Sequence, residues 1–188
     1  MTTVELIHPG YNRDDGRVGS SVSLVRDGDA IIVADPGLVE TQARILDPLA
    51  ERGIDRLDVT HVFLSHHHPD HTINAGLFPE AEVVDFWARY RGDLWLDHGG
   101  DGWRMTERTT LLLTPGHSEE DATLLVEADD AVYALTHLWW LPDRSPAIDP
   151  FAPDQALLDR NRERVLAAAD IVIPGHGGAF ETGRSRTA

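Results

Sequence analysis

The chain has 188 residues and carries 32 acidic against 16 basic side chains, a formal net charge of −16. That length is one ordinary domain, and 41% hydrophobic with 26% charged residues is a globular composition that excludes a disordered chain or a fibre. No apolar run approaches the roughly 18 residues of a membrane-spanning helix, the lack of cysteine excludes disulfide, thiol and Cys-ligated metal chemistry, and an acidic chain whose basic residues are all Arg argues against a broad nucleic-acid surface.

The first third reads as strands. Residues 4–8 are short and apolar, and residues 18–26 alternate as a half-buried strand does. The turn Asp27-Gly28-Asp29 joins the latter to residues 30–34 as a hairpin. Helical spacing of Ala43, Leu46, Leu49 and Ala50 predicts a helix over about 40–52, ended by Gly53 and weakened by Pro48. Residues 59–65 form a strongly apolar strand of the kind buried on both faces. A short helix is expected over 69–77. Residues 81–86, 109–113, 122–127 and 131–136 read as short strands, and residues 85–105 as strands joined by turns. The clearest helix spans 154–169, with Asp154 as N-cap and Ala156, Leu157, Val165 and Leu166 as its apolar stripe. Arg160, Arg162 and Arg164 read as its solvated face. Residues 171–173 form a last strand, and the tail is expected to be loose from about 181. With no repeat or linker, the order of strands and helices predicts one α/β layered domain over 1–188.

Ten histidines are present, and they are not scattered. Ser65-His66-His67-His68-Pro69-Asp70-His71 directly follows the buried strand. His66 and His68 are two apart and can point to one side of an extended segment, and Asp70 and His71 follow within a turn. Imidazole nitrogen and carboxylate oxygen suit Zn²⁺, Fe²⁺ or Mn²⁺. His-rich loops also cap, hydrogen-bond or take up metal adventitiously. Three more histidines raise the case for a site: His117, His137 and His176 each sit at the end of an apolar strand. Mixed sheets gather ligand sites at one edge.

With these residues in view, the chain resembles the metallo-β-lactamase-fold hydrolases. Residues 66–71 match the family's His-x-His-x-Asp-His motif, the Gly-His pairs ending at His117 and His176 follow in order, and residues 31–37 resemble its early strand ending in Asp and Gly. The resemblance covers about residues 20–178. It implies an αββα sandwich with a metal site at one edge of the sheets and a core over about 18–178. Carried over, His66, His68 and His117 bind one metal and Asp70, His71 and His176 a second, with Asp35 orienting a ligand or loop. Zn²⁺, two ions, is the expected cofactor, with one zinc or one iron as the alternatives. The implied chemistry is attack by metal-bound hydroxide on an electrophilic carbon or phosphorus, with Asp70 moving a proton.

One position departs from the pattern. The family usually has a metal-bridging Asp where this chain has His137. A neutral imidazole has one lone-pair nitrogen and cannot bridge as a carboxylate does, so His137 is expected to ligate one metal only, or else to turn away. Trp139 and Trp140 could wall an apolar pocket or pack in the core. His67 is expected to point away from the metals, and His8, His61 and His98 to be surface or satisfied core residues. The resemblance implies a hydrolase of a small ester, thioester, lactone or phosphodiester. The rivals are an iron oxygenase resembling persulfide dioxygenases and a non-catalytic metal-binding member. A small-molecule substrate, no membrane partner and a cytoplasmic location, from the absence of a leader pattern, complete the expectations; a homo-oligomer stays open.

Overall fold

Hydrophobic alternation along the strands divides the side chains among three layers. The computed structural model describes residues 1–184. Its first half runs β1 (Thr2–His8), a small hairpin of β2 (Tyr11–Asn12) and β3 (Val18–Gly19), β4 (Val22–Asp27), β5 (Ala30–Ala34), α1 (Ala43–Glu51), β6 (His61–Phe63), α2 (Pro69–Thr72), a 3₁₀ turn (Ala75–Leu77), β7 (Glu82–Val84), β8 (Arg89–Arg91) and β9 (Leu94–Leu96). Its second half runs β10 (Trp103–Arg104), β11 (Thr109–Leu113), β12 (Ala122–Glu127), β13 (Val132–Leu135), α3 (Gln155–Ala168), β14 (Ile171–Ile173) and β15 (Phe180–Glu181). Among the described residues, one sheet has the order β1-β4-β5-β6-β7-β8-β9 and the other β10-β11-β12-β13-β14-β15. β5, β6 and β7 run parallel, as do β13 and β14; the other neighbours in the two sheets are antiparallel.

Successive residues of a strand point to opposite faces. Val25, Ile32, Phe63 and Val84 of the first sheet therefore meet Leu111, Leu124, Leu135 and Ile173 of the second in a central layer. Their neighbours Leu24, Val33 and Val62 pack outward on Ile45 and Leu49 of α1. Ala134 and Val172 pack outward on Leu158 and Val165 of α3. The result is the helix–sheet–sheet–helix sandwich expected. Each fully buried Leu, Ile or Phe in such layers stabilises by about 1.5–3 kcal/mol.

The differences from the expected elements have local causes. β6 is shorter than 59–65 because after Phe63 the chain turns to present Ser65 and His66, although Leu64 N still donates to Val84 O at 2.9 Å. The expected helix over 69–77 breaks into α2 and the 3₁₀ turn. Residues 85–105 resolve into β8, β9 and β10. Asp154 caps α3 as expected, accepting from Ala156 N and Leu157 N. Of the expected stripe, Val165 is buried and Leu166 packs on the core, but Ala156 is exposed, and Leu158, Asn161 and Arg162 complete the buried face. Asn161 and Arg162 are buried because backbone carbonyls receive them: Nδ2 of Asn161 donates to Pro115 O at 2.7 Å, and Arg162 donates to Leu138 O, Pro146 O and Ala147 O. The solvated face read for Arg162 is therefore corrected. The tail expected to loosen from 181 instead begins by pairing, with Glu181 opposite Ile171; residues 185–188 of that expectation lie outside the described residues.

Candidate metal centre

The site forms where strands of both sheets end. Asp35 follows β5; Ser65, His66, Asp70 and His71 follow β6; His117, His137 and His176 follow β11, β13 and β14. Strand carboxyl ends are where open α/β sheets place ligands. The loop holding Asp35 crosses the start of α2 so closely that a Cβ on Gly37 would sit 1.6 Å from Asp70 O, and Leu38 N donates to that oxygen at 2.9 Å. Only a glycine permits this approach, which sets Asp70 and His71 against Asp35.

Four imidazoles are anchored through Nδ1, and in each the anchor leaves Nε2 as the lone-pair nitrogen. His71 Nδ1 donates to Asp35 Oδ2 at 3.0 Å. His117 Nδ1 donates to Asp149 Oδ2 at 2.8 Å, and His176 Nδ1 donates to Gly19 O at 2.8 Å. His66 Nδ1 lies 3.1 Å from Ser65 Oγ, whose proton goes to Asp35 Oδ2 at 2.7 Å. Asp35 adopts φ 48, and its Oδ1 accepts from Ser65 N at 2.7 Å, so one carboxylate orders both ends of the His-rich loop. Asp149 likewise accepts from Trp140 Nε1 at 2.8 Å and from Phe151 N at 2.9 Å.

The donor atoms converge. One nitrogen each of His66, His117 and His137 lie within 4.8 Å of one another, and so do those of His71, His137 and His176. His137 belongs to both groups, and its Nε2 is 3.3 Å from that of His176. Its ring presses on the backbone before His176: a Cβ on Gly175 would fall 2.1 Å from His137 Cδ2. His68 and Asp70 stand at the rim. His68 Nδ1 is 3.1 Å from His117 Nε2, and Asp70 Oδ2 is 3.5 Å from His71 Nε2 and 3.7 Å from His176 Nε2. His66 Nε2, His71 Nε2 and His137 Nδ1 are buried with no hydrogen-bond partner among the described residues.

Burial drives the charge state. It holds His66 and His137 well below the usual histidine range, and the neighbouring imidazoles add to the effect. His117 is lowered by burial against the pull of Asp149, and His176 is lowered to about 4 by burial and by His71. Neutral rings keep lone pairs that imidazolium lacks. Buried imidazole nitrogens without hydrogen-bond partners fit a divalent ion of zinc type, and Asp70 adds a carboxylate.

The remaining expectations divide. His67 points away, with Nε2 2.9 Å from Asp85 Oδ2. His8 is buried, His61 bonds Thr60 Oγ1 at 2.8 Å, and His98 stacks on Trp103. Trp139 packs in the core with α3, whereas Trp140 lines the cavity over the histidines. Sequence reasoning missed Asp149, which comes 32 residues after His117 in a loop and belongs to no recognisable spacing.

The model of the metallo-beta-lactamase superfamily matches residues 15–182. The chain belongs to that superfamily. It is 33% identical over 204 residues to metallo-beta-lactamase domain-containing protein 1 of Rattus norvegicus, over 97% of this chain and 78% of that protein. It is 28% identical over 195 residues to the Xenopus laevis protein of the same name, over 95% and 81%. A Thermotoga maritima protein of metallo-beta-lactamase fold superposes with a TM-score of 0.73 at 18% identity, over 96% of this chain and 99% of that one. A dizinc quorum-quenching lactonase superposes at 0.64 with 17% identity, over 90% and 80%. The structural likenesses carry the fold. No helix among the described residues is long and apolar enough to cross a membrane.

Proposed function

We propose that this superfamily member is a metal-dependent hydrolase of a small ester, thioester, lactone or phosphodiester. The observation that carries the reading is the convergence of buried imidazole nitrogens from both sheets, three of them without a hydrogen-bond partner among the described residues. His66, His68 and His117 would hold one ion, and Asp70, His71 and His176 a second. His137 stands in both donor groups, and one lone pair lets it join either ion but not bridge them. Two zinc ions suit this set of nitrogens and a single carboxylate. When bound, zinc supplies Lewis acidity and a water that ionises near neutral pH.

The chain's own residues do the rest. Asp35 and Asp149 keep the Nδ1 protons of His71 and His117 in place, so the Nε2 lone pairs stay aimed inward. Asp70 faces the cavity at the rim of the second group and is placed to take the proton of the attacking water and hand it to the departing oxygen. Trp140 and Phe151 line one side of the cavity with stacked rings. In the net reaction water adds to the acyl or phosphoryl centre, the ester bond breaks, and acid and alcohol are released.

Protein purified without added metal is expected to contain two zinc per chain by plasma mass spectrometry. It should turn over members of an ester, lactone and phosphodiester panel, and His66→Ala should fall to background. Iron with thiol-dependent oxygen uptake, or full metal occupancy with no turnover, would overturn the reading. A His137→Asp variant with unchanged metal content and activity would remove His137 from the ligand set.

A further inference from the structure

Resting on the hydrolase reading, we infer that the cavity takes a neutral carboxylic ester or lactone with an apolar acyl chain, not a phosphodiester, and that Phe151 and Trp140 set this preference. The cavity over the histidines has a volume of about 340 Å³, the size of small-ligand sites. On one side it is closed by the stacked rings of Trp140 and Phe151, whose centroids are 5.7 Å apart at 27°. Phe151 also meets His117 edge-on at 5.7 Å and His68 at 6.4 Å. An apolar wall thus begins where the candidate ligands end. Val18 of the small hairpin adds a further apolar side chain to the lining.

The wall is fixed and bare. Asp149 holds Trp140 by its indole N–H and Phe151 by its backbone N–H, and the same carboxylate holds His117. One residue thus links Trp140 and the Phe151 backbone to His117. Phe151, which lines the cavity, is 64% exposed. Large apolar side chains left bare at a cavity mouth mark a surface that a ligand covers.

Charge points the same way. Phosphate oxygens are recognised by Arg or Lys outside any metal pair. Among the described residues no Arg lines this cavity. The hairpin beside it carries Arg13 and Arg17, but the Arg13 guanidinium lies 4.1 Å over the Tyr11 ring and Arg17 pairs with Asp15 at 3.5 Å. A chain of net charge −16 also repels polyanions at long range. A neutral ester needs none of these cations. Water adds to its acyl carbon, the C–O bond to the alcohol breaks, and the acyl chain stays along the Trp140–Phe151 wall.

The test uses the zinc-loaded protein, p-nitrophenyl esters from acetyl to octanoyl, and bis-p-nitrophenyl phosphate. kcat/KM is expected to rise about two- to fourfold per added methylene until the wall is covered, since each buried methylene is worth about 0.8 kcal/mol. Phe151→Ala should flatten that slope and Phe151→Leu should keep most of it. Turnover with no chain-length slope, or a faster phosphodiester, would overturn the inference and leave the hydrolase reading standing. If no substrate turns over, the hydrolase reading fails, and calorimetry still decides the inference. Butanoate and octanoate should then bind the loaded protein with increasing affinity that Phe151→Ala abolishes, whereas equal affinity for the two acids or preference for dimethyl phosphate would overturn it.

Discussion

Asp149 does for His117 what Asp35 does for His71. Each carboxylate accepts a hydrogen bond from Nδ1–H and leaves the Nε2 lone pair aimed inward. Asp149 also carries Trp140 and Phe151, so it couples His117 to the pocket wall. Truncation would leave three donors, the buried His117 ring, the part-buried Trp140 indole and the Phe151 N–H, without their acceptor. Asp149→Ala is expected to cost about 1–3 kcal/mol of stability. It should weaken metal binding by about 10- to 100-fold, the usual penalty when a ligand's outer partner is lost. Competition with a fluorescent chelator measures the second effect and urea unfolding the first. A variant with full metal affinity would show that His117 needs no orienting carboxylate. At Gly175 the same scale explains a constraint on His137: any side chain there would occupy the space of the imidazole ring.

Among the elements, α3 and the loop that follows β13 act as one piece. The Arg162 guanidinium donates to Leu138 O at 2.8 Å and to Pro146 O and Ala147 O at 2.9 Å. These carbonyls flank the stretch that presents Trp140 and lie just before Asp149. Arg162→Met keeps the aliphatic stem but removes the donors, and is expected to destabilise by about 2–3 kcal/mol. Amide exchange across residues 138–151 should accelerate more than exchange in the first sheet, which distinguishes a local clamp from a general loss of stability. This role was not legible in the sequence, because a polar residue on a helix face reads as solvated unless its carbonyl partners are known. The strands of the central layer were legible, since apolar alternation follows from the sandwich itself. The His-rich loop was legible because its spacing is local. Asp149, Ser65 and the pairing of Glu181 with β14 depend on chain segments brought together only by the fold.

At the scale of the whole molecule, the two sheets are joined at both ends of β5. At one end Asp35 begins the candidate metal centre, where His66, Asp70 and His71 come from the first sheet and His117, His137 and His176 from the second. An ion bound by both sets holds the sheets together, and chelation should lower the melting temperature. At the other end Asp27 joins them without metal. Its carboxylate accepts from Thr2 Oγ1 at 2.8 Å in the first sheet, and from Thr106 Oγ1 at 2.6 Å and Arg108 N at 2.7 Å at the turn leading into β11. Burial raises the Asp27 carboxyl, but the three hydrogen bonds and the Arg108 charge outweigh it, so the group sits below its usual 3.8. A depressed carboxyl contributes stability that is fully present above the unfolded value and is lost as pH falls through the folded one. The metal-stripped protein is therefore expected to lose stability to urea as pH drops below about 3.8, and Asp27→Asn should lose less over that window while starting lower at neutral pH by about 1–3 kcal/mol. Parallel curves for the two proteins from pH 6 to 3 would mean that the ionised carboxylate does not hold this end. Loading with zinc at neutral pH should raise the midpoint of both by the same amount, because the two junctions lie at opposite ends of the strand and share no partner.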